Sequence, residues 1–184
     1  MLSHQTYWCL GGNSSKLTDV GRAAYKGHAP PHDSLTCAGD PVYAPLELLF
    51  GDAASEWEVR RLGCDLYLLG SMIGFFFLGA STTPAILAKM LPSHHPKIWS
   101  GTYGQVLPFA RAAFDEVVED LRKTVDPAIR DGLCEIFRQL CDPDPKLRGH
   151  PRDRAGFGSP YSLERYISRF NTLATTAEIN MKRK

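Results

Sequence analysis

The stretch that most constrains the fold runs from Leu66 to Ala80, LYLLGSMIGFFFLGA. Its 15 residues carry no charge, and Ser71 is the one purely hydroxyl side chain. The run is apolar on all sides, not along one stripe. A helix of that kind is buried all round or lies in a membrane. The run is shorter than the roughly 20 residues that cross a hydrocarbon layer. Arg60 and Arg61 lie upstream, and polar, Pro-containing sequence follows. The expectation is therefore a buried core helix. Length favours helix, although Gly70, Gly74 and Phe75 to Phe77 leave a buried strand open.

Asp65 stands at the head of the run. A buried carboxylate is costly unless several donors hold it. Two readings follow: a helix N-cap, where Asp is favoured, or an anchor that accepts hydrogen bonds from a neighbouring loop.

The chain has 184 residues, enough for one domain with a core of its own. Its 21 basic and 20 acidic residues leave a net charge of +1, so bulk electrostatics give no case for nucleic acid. Lys182-Arg183-Lys184 reads as a solvated tail. Five cysteines, an odd number without a CxxC pair, read as reduced small hydrophobes. His94 and His95 are adjacent and lack a partner pair at zinc-ligand spacing. The first residues show no basic region followed by an apolar core, so no signal peptide is expected. The cytoplasm is the expected compartment, without membrane insertion.

Residues 1–21 read as a strand or half-hairpin around the turn Gly11 to Ser15. Residues 22–42 are rich in Gly, Pro, His and Ser and have no period. They form a long loop, a length that is usually functional or disordered. Leu46 to Phe50 is short and apolar, and Ser55-Glu56-Trp57-Glu58 opens the central helix. Ser81-Thr82-Thr83-Pro84 begins a short helix that reaches residue 91. Pro92, Pro96, Gly101 and Gly104 predict a loop over 92–108. Residues 107–125 and 127–140 are amphipathic, with Phe114, Val117, Val118 and Leu121, then Leu133, Ile136, Phe137 and Leu140, on the apolar faces. A last helix is expected over 161–177, and Gly149 to Pro160 has no functional reading. The fold class is mainly α, with a short β segment at the N-terminus.

Four motifs occur in order. Asp19-Val20-Gly21 ends the first strand region. Gly39, Tyr43 and Glu47 make a Gly-x-x-x-Tyr-x-x-x-Glu pattern that begins 18 residues after Gly21. Asp65 follows 18 residues after Glu47, and Asp142-Pro143-Asp144-Pro145-Lys146-Leu147-Arg148 lies near the end. Together they resemble the C-terminal lobe of a eukaryotic-like serine/threonine protein kinase, over roughly Lys16 to Leu173. The resemblance divides residues 1–184, a partial kinase domain, into a strand region (1–21), an activation-segment-like loop (22–47), a helical lobe (48–177) and a basic tail (178–184).

The resemblance also implies roles. Asp19 would hold Mg²⁺ against the phosphates of ATP, and a hard cation does favour carboxylate oxygen. Gly39, Asp40 and Tyr43 would belong to the segment that meets the substrate. Glu47 would form a buried ion pair with Arg148, and Asp65 would anchor the catalytic-loop backbone to the central helix. Val20 replaces the usual Phe. Asp40 stands where the family carries a Thr that contacts the catalytic Asp and the substrate hydroxyl, which alters substrate handling. Ser34 and Thr36 are hydroxyls in the loop, open to phosphorylation.

The chain contains no Gly-x-Gly-x-x-Gly and no His-Arg-Asp. Met1-Leu2 falls where the family's apolar residues follow the catalytic loop. Two origins fit: an internal Met of a longer kinase, or a truncated gene. The resemblance thus implies ATP- and Mg²⁺-dependent phosphoryl transfer to protein Ser or Thr in a full-length form, with this chain alone inactive and without tight nucleotide binding. The alternative is a non-catalytic, pseudokinase-like interaction module that uses the helical lobe to bind a regulatory partner. A membrane-associated helical protein built on Leu66 to Ala80 is a third, weaker reading.

Overall fold

The computed structural model describes residues 7–10, 14–17, 24–27, 35, 37 and 39–183. The chain is mainly helical. Strands β1 (Tyr7–Leu10) and β2 (Ser14–Leu17) pair antiparallel, with Tyr7 opposite Leu17 and Leu10 opposite Ser14. The helices are α1 (Leu46–Leu49), α2 (Trp57–Leu78), α3 (Thr82–Lys89), α4 (Tyr103–Thr124), α5 (Pro127–Cys141), α6 (Pro151–Arg154) and α7 (Glu164–Lys182). Short 3-10 turns lie at Pro92–His94 and Pro145–Leu147.

The central apolar run is the second part of α2, whose 22 residues extend for about 33 Å. Gly79 ends it in the left-handed conformation, φ 72°, and its N–H reaches the Phe75 carbonyl. The helix is not buried all round. Tyr67, Ile73 and Gly74 face the core, whereas Met72, Phe75, Phe76 and Phe77 are exposed. By length and composition alone α2 is also apolar enough to cross a membrane, a test that core helices of soluble proteins pass too.

α2 packs on α5 where Gly70 meets the last turn of that helix. A β-carbon at Gly70 would lie 2.4 Å from Cys141 Sγ and 2.7 Å from Leu140 Cβ, so only glycine permits this approach. Ser71 is buried, and its hydroxyl accepts from Thr82 N at 2.8 Å. This serine of the run therefore satisfies an otherwise orphaned donor at the start of α3.

α4 begins earlier than its sequence predicts. Residues 103–106 are helical, and Pro108 is accommodated inside the helix. Thr102 N donates to Gln105 Oε1 at 2.8 Å, closing the first turn. Tyr103, Val106 and Ala110 are buried, and that burial outweighs the breaker signal of Gly104 and Pro108. α5 starts as expected at Pro127, with Asp126 accepting from Ala128 N at 2.9 Å. Phe114 of α4 and Phe137 of α5 tilt together with centroids 5.4 Å apart. Each such buried side chain contributes on the order of 1.5–3 kcal/mol. α7 starts at Glu164 and runs five residues past the expected end at Ala177, to Lys182.

Candidate functional site

Glu47 sits in α1 and Arg148 just after the second 3-10 turn, 101 residues apart in sequence. Arg148 Nη1 donates to Glu47 Oε1 at 2.6 Å, and Nη2 donates to Oε2 at 2.7 Å. This is a planar fork on a carboxylate, the strong geometry for such a pair. Both side chains are almost fully buried, at 0% and 3% exposure. Arg148 Nε donates to the Asp142 carbonyl at 2.9 Å, and the guanidinium carbon lies 4.7 Å from the Tyr67 ring centroid. Burial alone would weaken the Arg148 charge; the Glu47 carboxylate more than offsets this and holds the guanidinium protonated far above the usual arginine range.

Tyr67 links this pair to the start of α3. Thr83 Oγ1 donates to the Ala44 carbonyl at 2.6 Å and lies 2.7 Å from the Tyr67 hydroxyl. With its one proton spent on Ala44, the Thr83 oxygen accepts, so Tyr67 donates. Burial pushes the Tyr67 hydroxyl well above its usual range. Ser81 Oγ donates to the Val42 carbonyl at 3.5 Å. The segment 42–47 is thus held at Val42, Ala44 and Glu47 by Ser81 and Thr83 at the start of α3 and by Arg148 in the turn after α5.

The preceding residues form a turn. Asp40 is exposed; its Oδ1 accepts from Val42 N at 2.9 Å and its carbonyl accepts from Tyr43 N at 3.0 Å. Gly39 and Tyr43 are half-buried, and the Gly39 carbonyl accepts from Cys37 Sγ at 3.4 Å. Gly39, Asp40, Tyr43 and Glu47 therefore lie on one continuous segment. Asp19, Ser34 and Thr36 lie outside the described residues.

Asp65 departs from the expected N-cap role. α2 starts at Trp57, so Asp65 lies inside the helix and is not its N-cap. The side chain is exposed, and it makes no hydrogen bond among the described residues. Partial desolvation on the helix surface still raises its carboxyl above the usual range, against the pull of Arg61.

The two thiols beside the pair, Cys64 and Cys141, are held protonated. Burial, then the nearby Glu47 carboxylate, pushes the Cys64 thiol up to about 12, and burial does the same to Cys141. Neither is a thiolate near neutral pH. No group of three or more His, Cys, Asp or Glu that could hold a metal ion comes together among the described residues. What the site does is mechanical. It fixes residues 42–47 against the helical core.

Sequence reasoning missed Tyr67, Thr83 and Asp142 as partners of the pair. One signal was present: a tyrosine hydroxyl inside an uncharged run must find a partner if it is buried. No family model, no curated protein and no solved structure matches this chain.

Proposed function

We infer that this chain is the helical lobe of a serine/threonine protein-kinase-type domain. In that reading the lobe presents the 39–47 segment to a protein substrate. ATP-dependent phosphoryl transfer also needs a glycine-rich loop, its lysine and a catalytic loop, none of which is in this sequence. The chain by itself is then inactive, and Asp19 is the ligand it contributes to Mg²⁺ in a longer form. Such a domain works where ATP and protein substrates are, which places it in the cytoplasm.

The observation that carries the inference is the Glu47–Arg148 fork. Two charges 101 residues apart are buried together with matched geometry. A segment of irregular backbone needs such a brace if it is to be held rigid against a substrate. Tyr67 and Thr83 reinforce it from the central helix and α3.

A second reading, a non-catalytic interaction module, is favoured by the exposed Met72, Phe75, Phe76 and Phe77 face and by the missing catalytic motifs. Phosphate transfer from ATP to protein separates the two. The protein isolated from its own cells is assayed beside an Asp19→Ala variant made in the same cells. Transfer that is lost on Asp19→Ala supports the kinase-type reading. Absence of transfer, or transfer indifferent to Asp19, removes it and leaves the interaction module.

A further inference from the structure

An open cleft of about 470 Å³ lies between α6 and the first turns of α7, and neither Glu47 nor Arg148 lines it. Arg152 reaches it from α6, and Arg165 and Arg169 from one face of α7, where their i, i+4 spacing stacks them. Ser162 and Ser168 also line it. No apolar side chain lines it, so an apolar ligand has nothing to bury against.

The carboxylates nearby orient the arginines without exhausting them. Arg165 Nε donates to Asp153 Oδ1 at 2.7 Å, which leaves both of its terminal nitrogens. Arg169 gives Nη2 to Glu135 Oε2 at 2.5 Å, which leaves Nε and Nη1. Arg152 makes no side-chain hydrogen bond or ion pair among the described residues. His150 also lines the cleft, and its Nδ1 accepts from Arg152 N at 3.2 Å. Burial, then the charges of Arg165, Arg169 and Arg152 against the opposing Asp153, hold this imidazole below its usual range. With Nδ1 accepting, the neutral ring carries its proton on Nε2.

A carboxylate is satisfied by one guanidinium fork. Several guanidinium groups from two helices suit a tetrahedral anion with three acceptor oxygens. Asp153 and Glu164 in the wall work against a weakly charged ligand and less against a near-dianion. We propose that the cleft between α6 and α7 is a binding site for a phosphate monoester or free phosphate, held by Arg152, Arg165 and Arg169. This inference stands independently of the kinase-type reading.

The test is an NMR titration that follows the arginine side-chain N–H signals at constant ionic strength. The probes are inorganic phosphate and N-acetyl-phosphoserine amide, with chloride and the unphosphorylated amide as controls. Saturable shifts at Arg152, Arg165 and Arg169 with the phosphate probes alone are expected. Arg152→Gln removes a cation that has no partner to lose, so the fold stays intact. It should weaken binding by about two- to fivefold, the size of an exposed ionic contact. Arg165→Lys keeps a charge beside Asp153 but loses the fork, and it should weaken binding similarly. Tighter binding of the phosphoserine amide assigns the site to a phosphorylated side chain; equal or tighter binding of inorganic phosphate assigns it to the free ion. No saturable shift, the same shift with chloride, or binding unchanged in both variants overturns the proposal.

Discussion

Arg148 grips Glu47 through two parallel hydrogen bonds of 2.6 and 2.7 Å, in a place where neither side chain reaches water. Breaking such a pair from one side strands the other charge. Arg148→Ala should therefore cost about 3–5 kcal/mol of stability. Arg152→Ala, four residues on and exposed, should stay within about 0.5 kcal/mol. Urea unfolding of the two variants checks this, and equal midpoints would remove the brace from the account. Glu47→Leu combined with Arg148→Met should cost less than either single change, because no charge is left unpaired.

Close approach of helices gives the second prediction. Gly70→Ala forces a methyl to within 2.4 Å of Cys141 Sγ, an overpacking worth about 1–3 kcal/mol. At Gly63 the same methyl meets only the Tyr161 ring, at 3.6 Å. Gly63→Ala should stabilise by about 0.5–1 kcal/mol through helix propensity. Opposite signs on one helix, measured by thermal unfolding, are the expected outcome. Destabilisation of the same size at both positions would contradict the packing described.

The buried thiols predict alkaline weakening. Cys64 and Cys141 titrate at about 12 in the folded chain, against 9.0 when free. Below pH 9 both states hold the proton and the full stability is present. Above pH 9 the unfolded chain releases protons that the folded chain keeps, so stability falls as pH rises towards 12. Unfolding midpoints measured from pH 8 to 11 should decline, and Cys64→Ala should make the decline shallower. A slope identical to that of the native sequence would show that Cys64 is not desolvated as described.

The exposed end of α2 separates surface from core. Phe76 is 72% exposed, and Phe76→Ser should change stability by no more than about 0.5 kcal/mol. Phe137 is fully buried against Phe114, and Phe137→Ala should cost about 3–5 kcal/mol. Comparable losses at the two positions would mean that the α2 face is covered in the protein as it exists in solution.

Elements with a regular apolar period were legible in the sequence. α5 follows from Leu133, Ile136, Phe137 and Leu140, closed by Asp126 and Pro127. The start of α4 was not, because Gly104 and Pro108 signal a break while burial of Tyr103 and Val106 decides the outcome. The run Leu66 to Ala80 showed where the core helix lies, and Ser55 to Glu58 where it starts, but nothing gave a sign that Phe75 to Phe77 face outward. Asp65 illustrates the same limit: its type fits a cap, but position along a helix is set by where the helix begins. The meeting of Glu47 with Arg148 is a long-range contact, which no local period encodes. The resemblance of the ordered motifs to a kinase C-terminal lobe implied it. The Arg152, Arg165 and Arg169 cleft gave no local signal, since it exists only once α6 and α7 lie side by side.

The central claim, a lobe that works within a kinase-type domain, is tested most directly by the intact mass of the protein as its own cells make it. A mass exceeding 20.4 kDa by on the order of a hundred residues or more is the predicted result, since a nucleotide-binding lobe is of that size. A mass of 20.4 kDa would contradict it, and the lobe would then act through partner binding alone.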